Sequence, residues 1–532
     1  MPEHLKALVV ILMLAAAVFA FAKMPACMVA TRSADFDRRR NLWFCITATA
    51  FIAHNFWIYI IVTAVLLAMA VPRESNRLAL YFLVLFAVPS ISDVISGLGI
   101  IKQFFTIHYL RLLALAVLLP AFLELQKKTN PERFGRSTAD KLIAGYLLLQ
   151  FLLMLNTSTF TNSLRYGVFY SYVDIFLPYY VASRSFRDIA GFRDAAMAFV
   201  VAALVLSAVA AFEFARHWLL YNPLADSLGV GWHMGKYLQR GEVLRVSGST
   251  GHPIVLGYVM VTAIGFMLFL RRAVGNVSVW RLGLTALAVG LIVPFSRGPW
   301  IGAVALLITY TATGPTPRRS FLKLALACAL VFPLFLASPF GKDVLDHLSF
   351  AGSTVAITED SVAYRQRLVQ IAIQVVLQNP FFGAYDYIYS TALQELKQGE
   401  GIIDIVNSYV AIALSSGLVG LSLFAGFFIT VLAGIYRNMR QLPDRNDELY
   451  ELGRALFSVL FCILVIIATV SSIEVIPVIY WSVAGLGAAY ARMLSPLPLA
   501  GERTVNNPSP NARRGAAHAA AFRSLDHALG KS

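Results

Sequence analysis

Four arginines stand in polar stretches between apolar blocks, and their side chains are the best suited in this chain to binding chemistry. They are Arg245, Arg297, Arg365 and Arg367. Arginine stays charged at physiological pH, and its planar guanidinium matches phosphate oxygens with two parallel hydrogen bonds. Several arginines beside a lipid boundary therefore favour an anionic lipid head such as a diphosphate.

Each of these arginines also has a structural alternative. Arg297, in the segment FSRGPW, lies between two apolar blocks, where a charge is costly unless it is paired or hydrated. It could instead extend toward the lipid headgroups. Arg365 and Arg367 follow Asp360 at the start of a helix-like run, where local ion pairs at a solvated helix end would also explain them.

Arg245 opens the segment RVSGSTGHP, which is rich in hydroxyls and glycine. Glycine allows the backbone to approach a polar ligand closely. His252 near its end could contact a substrate, or it could be a polar residue at a helix start, since Pro253 is typical of a first helical turn.

A reaction at the outer face of a membrane has no ATP, so its substrate must carry the energy. A lipid-diphosphate sugar does so, and breaking its sugar–phosphate bond leaves negative charge on the diphosphate, which arginines would stabilise. No phosphate-cradling glycine loop is present, which argues against a nucleotide-driven pump. The four cysteines form no CxxC pair and are interpreted as packing residues, so we predict no metal and no cofactor.

The composition indicates which elements must position these residues. Hydrophobic residues are 58% of the 532 and charged residues only 14%, against about 25% charged in soluble domains. The apolar residues form blocks, many of a length that crosses a bilayer as a helix. We predict an all-α polytopic transmembrane bundle of about 12–14 spans over residues 1–492. The net charge of +15 lies in short gaps and the last forty residues, which is typical of membrane orientation and not of nucleic-acid binding.

Orientation follows from the basic loops. If 43–54 and 56–71 are two crossings and not one long tilted span, the dense basic clusters all fall on one side, taken as cytoplasmic. The long loops 215–252 and 339–404 then lie on the outer face and should contain short helices. Residues 493–532 are predicted to be a disordered basic cytoplasmic tail. The first apolar block could be a cleaved secretory signal, but an uncleaved span is favoured.

The polar segments together resemble the O-antigen ligase and O-antigen polymerase superfamily of bacterial inner membranes. The resemblance is an ordered series over about residues 240–435 and comprises RVSGSTGHP (245–253), FSRGPW (295–300), DSVAYR (360–365), NPFFG (379–383), NSYV (407–410) and GLVG (417–420). We interpret the two glycines of the last segment as packing residues.

The resemblance implies a metal-independent glycosyltransferase of the bacterial inner membrane with its active site facing the periplasm. It would move a glycan from an undecaprenyl-diphosphate carrier to a hydroxyl on a glycan, lipid or protein. The implied catalytic residues are Arg245 and Arg365, which would hold the donor diphosphate. The substrate-binding candidates are Arg297, Arg367, His252, Asn407 and Ser408. Membrane lipids and polysaccharide export proteins are the further expected partners, and nucleic acid is not one.

One position departs from the family pattern. Ligases of the family usually place a histidine before the Asn-Ser pair, and this chain has Val406 there. Valine cannot act as a general base, and Asp404, Glu400, Glu242 and His252 are the candidate replacements. The departure favours a polymerase of surface polysaccharide. A lipid-linked sugar transporter or flippase, with Asp93, Asp174 and Glu474 as its intramembrane charges, and a non-catalytic component of an export complex remain alternatives.

Overall fold

The computed structural model describes residues 1–97, 99, 103–127, 133–232, 237–240, 243–323, 325–326, 355–397, 403–473 and 475–494. Its contacts divide the chain into Met1–Met493 and Leu494–Ser532. The part of the predicted tail that follows Leu494 lies outside the described residues. The same is true of Glu242, Glu400 and Glu474.

Helices make up most of the first unit. Those of the amino-terminal half are α1 (Glu3–Val29), α2 (Ser33–Ile52), α3 (Phe56–Ala70), α4 (Arg77–Val84), α5 (Tyr109–Leu113), α6 (Leu119–Lys127), α7 (Thr138–Thr157), α8 (Phe160–Asn162), α9 (Leu177–Ser185), α10 (Ile189–Arg216) and α11 (Asn222–Leu228). Those that follow are α12 (Pro253–Phe269), α13 (Arg271–Val274), α14 (Val277–Ile292), α15 (Arg297–Ala312), α16 (Val355–Gln378), α17 (Thr391–Gln394), α18 (Ser408–Gln441), α19 (Glu448–Ile467) and α20 (Val475–Leu494). Short 3₁₀ and π-helical turns include Val71–Arg73, Ala114–Leu118, Ser163–Tyr170, Tyr172–Phe176, Gly248–Thr250 and Tyr387–Tyr389.

Seven helices in the described part of the chain are long and apolar enough to cross a membrane, which confirms the all-α polytopic class. Two shorter apolar helices, α12 and α14, accompany them. The predicted number of about fourteen crossings counts shorter apolar blocks as well, and it stays a prediction.

A capped turn separates the two apolar blocks around residue 54. His54 adopts a positive φ of 48°, and the side chain of Asn55 accepts hydrogen bonds from the backbone N–H of Trp57 at 2.9 Å and of Ile58 at 3.2 Å. Such capping satisfies amide groups that a helix start leaves open. The structure confirms two helices here, α2 and α3, and not one long span.

Helix α10 forms the centre of the bundle. Its most apolar stretch is 83% buried, and it packs against α1, α4, α12 and α14. A helix that is apolar on all sides is stable only when other helices surround it. At 1.5 Å per residue, the 28 residues of α10 span about 42 Å, which is long enough to cross a bilayer.

The predicted basic loops meet at one end of the bundle, which we call the basic end. Arg193, at the start of α10, pairs with Glu448 of α19, and Arg272 donates to the backbone oxygen of Asn446. Thr31 donates to Asp194 at 2.6 Å. The opposite end holds Glu3, which accepts a hydrogen bond from Trp218 at 2.9 Å. The alternation predicted from charge is therefore present in the packing.

Two features differ from the expected helices. The apolar block 78–95 is not one span, because α4 ends at Val84 and the chain then forms an antiparallel hairpin of β1 (Ser92–Ser96) and β2 (Gln103–His108). A second small pair, β3 (Gln239–Arg240) and β4 (Val243–Leu244), lies in the loop 215–252. The short helices expected in both long loops are present as α11, α16 and α17.

Candidate functional site

The segment RVSGSTGHP folds into the bundle and does not lie on its surface. Residues Ser247 to Thr250 are buried, and a Cβ added to Gly248 would lie 3.3 Å from Leu206 of α10. Gly248 has a positive φ of 53°, a conformation that glycine adopts without strain. Ser249 donates to the backbone oxygen of Phe86 at 2.6 Å. The loop thus packs against α10, inward of its carboxyl end.

A buried carboxylate that the sequence analysis missed holds this loop. Glu213, in the last turn of α10, is completely buried. It accepts hydrogen bonds from the backbone N–H groups of Gly248 at 2.9 Å, Ser247 at 3.3 Å and Leu220 at 3.0 Å. Buried charge is tolerated when hydrogen bonds satisfy it. In the sequence, the feature that could have indicated this residue is the position of Glu213 within an otherwise apolar stretch.

The structure brings Arg245 to the second predicted segment, FSRGPW. The half-buried Arg245 guanidinium donates to the backbone oxygen of Pro294 at 3.3 Å and to the Ser296 hydroxyl at 3.0 Å. Ser296 immediately precedes Arg297, which begins α15. Two segments fifty residues apart in the chain therefore meet. The predicted shared role of Arg245 and Arg365 stays a prediction, because the Arg365 side chain lies outside the described residues.

His252 caps α12 beside Arg245. Its Nδ1 accepts a hydrogen bond from the backbone N–H of Ile254 at 3.2 Å. Burial, together with the positive charge of Arg245, lowers the pKa of His252 to about 4. The ring is therefore neutral at pH 7 and carries its proton on Nε2, so it can donate a hydrogen bond but cannot accept a proton there. The predicted helix-start position is confirmed, and substrate contact stays a prediction.

The connection between α19 and α20 continues the site, and the sequence analysis did not include it. A Cβ added to Gly298 in FSRGPW would lie 2.7 Å from the Thr469 hydroxyl and 3.3 Å from Val470. The only signal in the sequence was a pair of serines, Ser471 and Ser472, between two apolar blocks.

The same connection holds the start of α18. The buried Ser408 hydroxyl donates to the backbone oxygen of Val470 at 2.8 Å and accepts from Ser472 at 2.7 Å. The Asn407 side chain accepts from the backbone N–H of Tyr409 at 2.9 Å and so caps α18. These contacts give Asn407 and Ser408 positioning roles, and their predicted contact with substrate is untested.

Asp404 joins this connection to α16. The Ser471 hydroxyl donates to Asp404 Oδ1 at 2.8 Å. The Tyr364 hydroxyl bonds both to the backbone oxygen of Asp404 at 3.0 Å and to its N–H at 3.2 Å. Tyr364 precedes Arg365 on α16, although the Arg365 side chain lies outside the described residues. Arg367 is exposed and lies 3.6 Å from Glu395, the local ion pair expected of a solvated helix.

The segments NPFFG and GLVG pack directly on each other. Gly417 interrupts α18 with a positive φ of 63°, and the N–H groups beyond it, of Leu418 and Val419, donate to Pro380 at 2.8 Å and Phe381 at 3.1 Å. A Cβ on Gly417 would lie 2.4 Å from the Phe381 backbone. The structure thus confirms the packing role predicted for Gly417.

The resulting arc lies at the end of the bundle opposite to the basic end. It begins with Arg245 and Ser296, continues through Gly298 and Thr469–Ser472, and ends at Asp404 with Tyr364. Within the described ranges, no group of three or more His, Cys, Asp or Glu residues could hold a metal ion. The arc can bind an anion through arginine and form hydrogen bonds through its hydroxyls, and it contains one exposed carboxylate, that of Asp404.

These features define a multi-pass helical membrane protein with a polar, arginine-containing site at one end. Residues 282–425 match the O-antigen ligase family. The match confirms the resemblance noted in the sequence and supports membership of the O-antigen ligase and polymerase superfamily, with a membrane glycan-processing function. No curated protein matches the chain.

The matched region contains Arg297, Arg365 and the Asn407–Ser408 pair. Arg245 and its segment precede the matched region, and Thr469–Ser472 follow it. The structure therefore brings residues from both flanks into contact with the matched region.

Proposed function

We propose that this protein is a glycan polymerase or ligase that transfers a glycan from an undecaprenyl-diphosphate carrier to an acceptor hydroxyl. The observation that carries the proposal is the convergence of Arg245 with the FSRGPW segment through Pro294 and Ser296. The FSRGPW segment lies in the region that matches the O-antigen ligase family, and the function of that family supports a lipid-linked glycan donor and a glycan acceptor.

In this proposal Arg245 and Arg365 bind the donor diphosphate. Two hydrogen bonds, to the Pro294 backbone oxygen and the Ser296 hydroxyl, orient the Arg245 guanidinium. When the bond between the anomeric carbon and the diphosphate oxygen breaks, its electron pair stays on the diphosphate. A guanidinium already in position stabilises that charge most in the transition state.

Asp404 is the proposed base for the acceptor hydroxyl in place of the family histidine. Its carboxylate is exposed, and Ser471 holds Oδ1 at 2.8 Å. His252 is poorly suited, because its Nδ1 lone pair already accepts from Ile254. The acceptor oxygen would attack the anomeric carbon opposite to the diphosphate while Asp404 takes the proton, so the product has inverted configuration.

The proposed location is the outer face of a bacterial inner membrane. The basic loops collect at the opposite end of the bundle, and such loops favour the cytoplasm. The site would then face the periplasm, where the donor itself carries the energy of transfer and no nucleotide is needed.

Transport of a lipid-linked sugar has less support. Of its three candidate charges, Asp174 pairs with Arg111 at 2.9 Å, and Asp93 is half-buried in strand β1 of the β1–β2 hairpin. The ion pair with Arg111 is enough to explain an intramembrane carboxylate at Asp174, so this residue requires no transport pathway. The third, Glu474, lies outside the described residues.

The test is transfer by membranes that contain the full chain, supplied with a polyprenyl-diphosphate oligosaccharide. We expect Arg365→Lys to lose most of the release of carrier diphosphate, because lysine cannot make the bidentate contact. Arg319→Lys at the basic end is the matched control and should keep its activity. Full glycan assembly by Arg365→Lys would contradict the proposed role.

A further inference from the structure

A polar cavity of about 470 Å³ opens at the basic end, far from the arc that contains Arg245. Asp194 lines this cavity, whereas Glu213 holds the arc, and the two residues lie nineteen apart on α10. At 1.5 Å per helical residue they are separated by about 28 Å. The cavity is therefore a separate site. Its volume falls within the range of small-ligand pockets, about 300–1,000 Å³.

Two helix starts face this cavity and are fastened together. The Asn76 side chain, which caps α4, donates to the backbone oxygen of Gly191 in the first turn of α10 at 3.2 Å. The first N–H groups of a helix have no partner within it, and the helix start carries partial positive charge. The starts of the long α10 and the short α4 thus lie side by side at one wall of the cavity.

Arginines supply the other donors. Arg32, Arg77 and Arg187 all line the cavity. Arg77 pairs with Glu124 at 2.5 Å. Arg32 and Arg187 are exposed, and neither forms an ion pair with any carboxylate in the part of the chain that the structure describes. Two guanidinium groups at the cavity therefore keep their hydrogen-bonding capacity.

The carboxylates at the base of the cavity are already engaged. Arg39, only 1% exposed, binds Asp194 at 2.8 Å and Glu74 at 2.6 Å. Asp188 uses Oδ1 to cap α10 at Gly191. Four carboxylates thus line the cavity with three arginines, but three of the four are paired with arginine and the fourth, Asp188, caps a helix. Among the described residues, the guanidinium groups of Arg32 and Arg187 are the donors that an anion would meet.

We propose that this cavity binds a phosphate group, held by Arg32 and Arg187 and by the starts of α4 and α10. The group could belong to an anionic lipid headgroup or to a soluble phosphate. Apolar residues on the wall, including Ala121, Leu125 and Phe186, would accommodate the less polar part of a lipid head. The site is independent of the transfer reaction proposed above.

The experiment measures thermal unfolding of the purified full chain in neutral detergent. One arm adds dispersed phosphatidylglycerol, a second adds inorganic phosphate, and a third adds chloride at matched ionic strength. We compare the wild type with the double variant Arg32→Gln, Arg187→Gln. The control is Arg318→Gln, Arg319→Gln, which removes the same charge from exposed positions at the basic end.

We expect a saturable rise in Tm with at least one phosphate compound and none with chloride. The double variant should need about tenfold more of that compound, while the control behaves as the wild type. A response to phosphatidylglycerol alone identifies a lipid headgroup, and an equal response to inorganic phosphate identifies a soluble source. No saturable rise in the wild type, or the same affinity in the double variant, would overturn the proposal.

Native mass spectrometry of the wild type gives a second measurement that needs no substitution. One phosphatidylglycerol per chain should survive in the gas phase, in preference to phosphatidylcholine offered at the same concentration. Equal retention of both lipids, together with no response to inorganic phosphate, would also overturn the proposal.

Discussion

The two ends of the bundle use arginine differently. At the basic end, buried arginines are matched by carboxylates: Arg39 by Glu74 and Asp194, and Arg184 by Asp140 at 2.8 Å. At the opposite end, the described side-chain hydrogen bonds of Arg245 go to a backbone oxygen and a hydroxyl. The first arrangement cancels charge and joins helices, whereas the two bonds of Arg245 fix the direction of its guanidinium. The difference predicts stability effects at one end and activity effects at the other.

The largest expected effect is on stability, from Arg39→Gln. This change leaves Glu74 and Asp194 buried without their cation, and breaking a buried ion pair costs about 3–5 kcal/mol. Denaturant unfolding in detergent measures it. Arg40→Gln is the control, because Arg40 forms only a partly exposed pair with Asp37 at 3.1 Å, which is worth at most about 1 kcal/mol. Equal losses in the two variants would contradict the assigned role of the buried cluster.

Arg245→Lys should lower transfer activity about 100-fold while leaving the unfolding midpoint nearly unchanged. Lysine keeps the charge but not the planar fork, and one lost transition-state donor typically costs about this factor. Activity per folded protein is the measurement. A variant that unfolds early but retains its turnover would show that Arg245 is structural, like the arginines of the basic end.

Glu213→Gln tests whether the arc depends on a buried anchor. Glutamine offers one acceptor oxygen where three backbone N–H groups now bond, so about 1–3 kcal/mol of local stability should be lost. Hydrogen exchange should become faster in residues 245–250, and the KM for donor should rise. The exposed Glu395→Gln should change neither quantity. Unchanged exchange in Glu213→Gln would remove its positioning role.

Val406→His introduces the histidine that ligases of the family usually have before the Asn-Ser pair. Val406 is half-buried and packs against the apolar cluster that contains Leu368 and Ile405. We expect the variant to fold with a loss of about 1 kcal/mol and to tolerate or gain transfer to a ligase-type acceptor. Val406→Ala is the control for lost packing. Failure of Val406→His to fold, with Val406→Ala intact, would show that this position belongs to the core.

Near neutral pH the smallest effect comes from His252, and it grows as the pH falls. The pKa of His252 is lowered to about 4 in the folded chain, against about 6.5 when unfolded. Between these values the unfolded state binds the proton and the folded state does not, so stability should fall as pH decreases from about 6.5 to about 4. His252→Asn preserves a capping side chain and should flatten this dependence in unfolding curves. An unchanged slope would mean that other groups cause it.

Several parts of the fold were predictable from the chain alone. Hydropathy predicted the helical membrane class, and the spacing of basic residues predicted which loops share an end. The shared diphosphate site of Arg245 and Arg365, which their guanidinium chemistry indicates, stays a prediction. The β1–β2 hairpin after α4 was not predictable from the sequence. Its strands lie in and beside apolar blocks, and the local residue pattern does not distinguish a short strand from the end of a helix.

The missed site residues share a physical cause. Glu213, Thr469 and Ser471 carry no motif, and their roles come from what lies across the bundle from them. A buried acid among apolar residues can be an ion-pair partner, a cap or an anchor, and only its neighbours decide which. Sequence spacing contains no information on contacts between helices that are two hundred residues apart.

Composition and charge by themselves determined that this chain crosses a membrane many times as helices, with its basic loops gathered at one end. This follows because lipid accepts only helices whose backbone hydrogen bonds are internal, and because arginines and lysines orient the spans. The tertiary structure alone decided that Glu213 holds the RVSGSTGHP loop inside the bundle and that Ser408 and Asp404 meet the connection between α19 and α20. These contacts depend on which buried polar groups find partners when the helices pack, and that is a property of the assembled bundle.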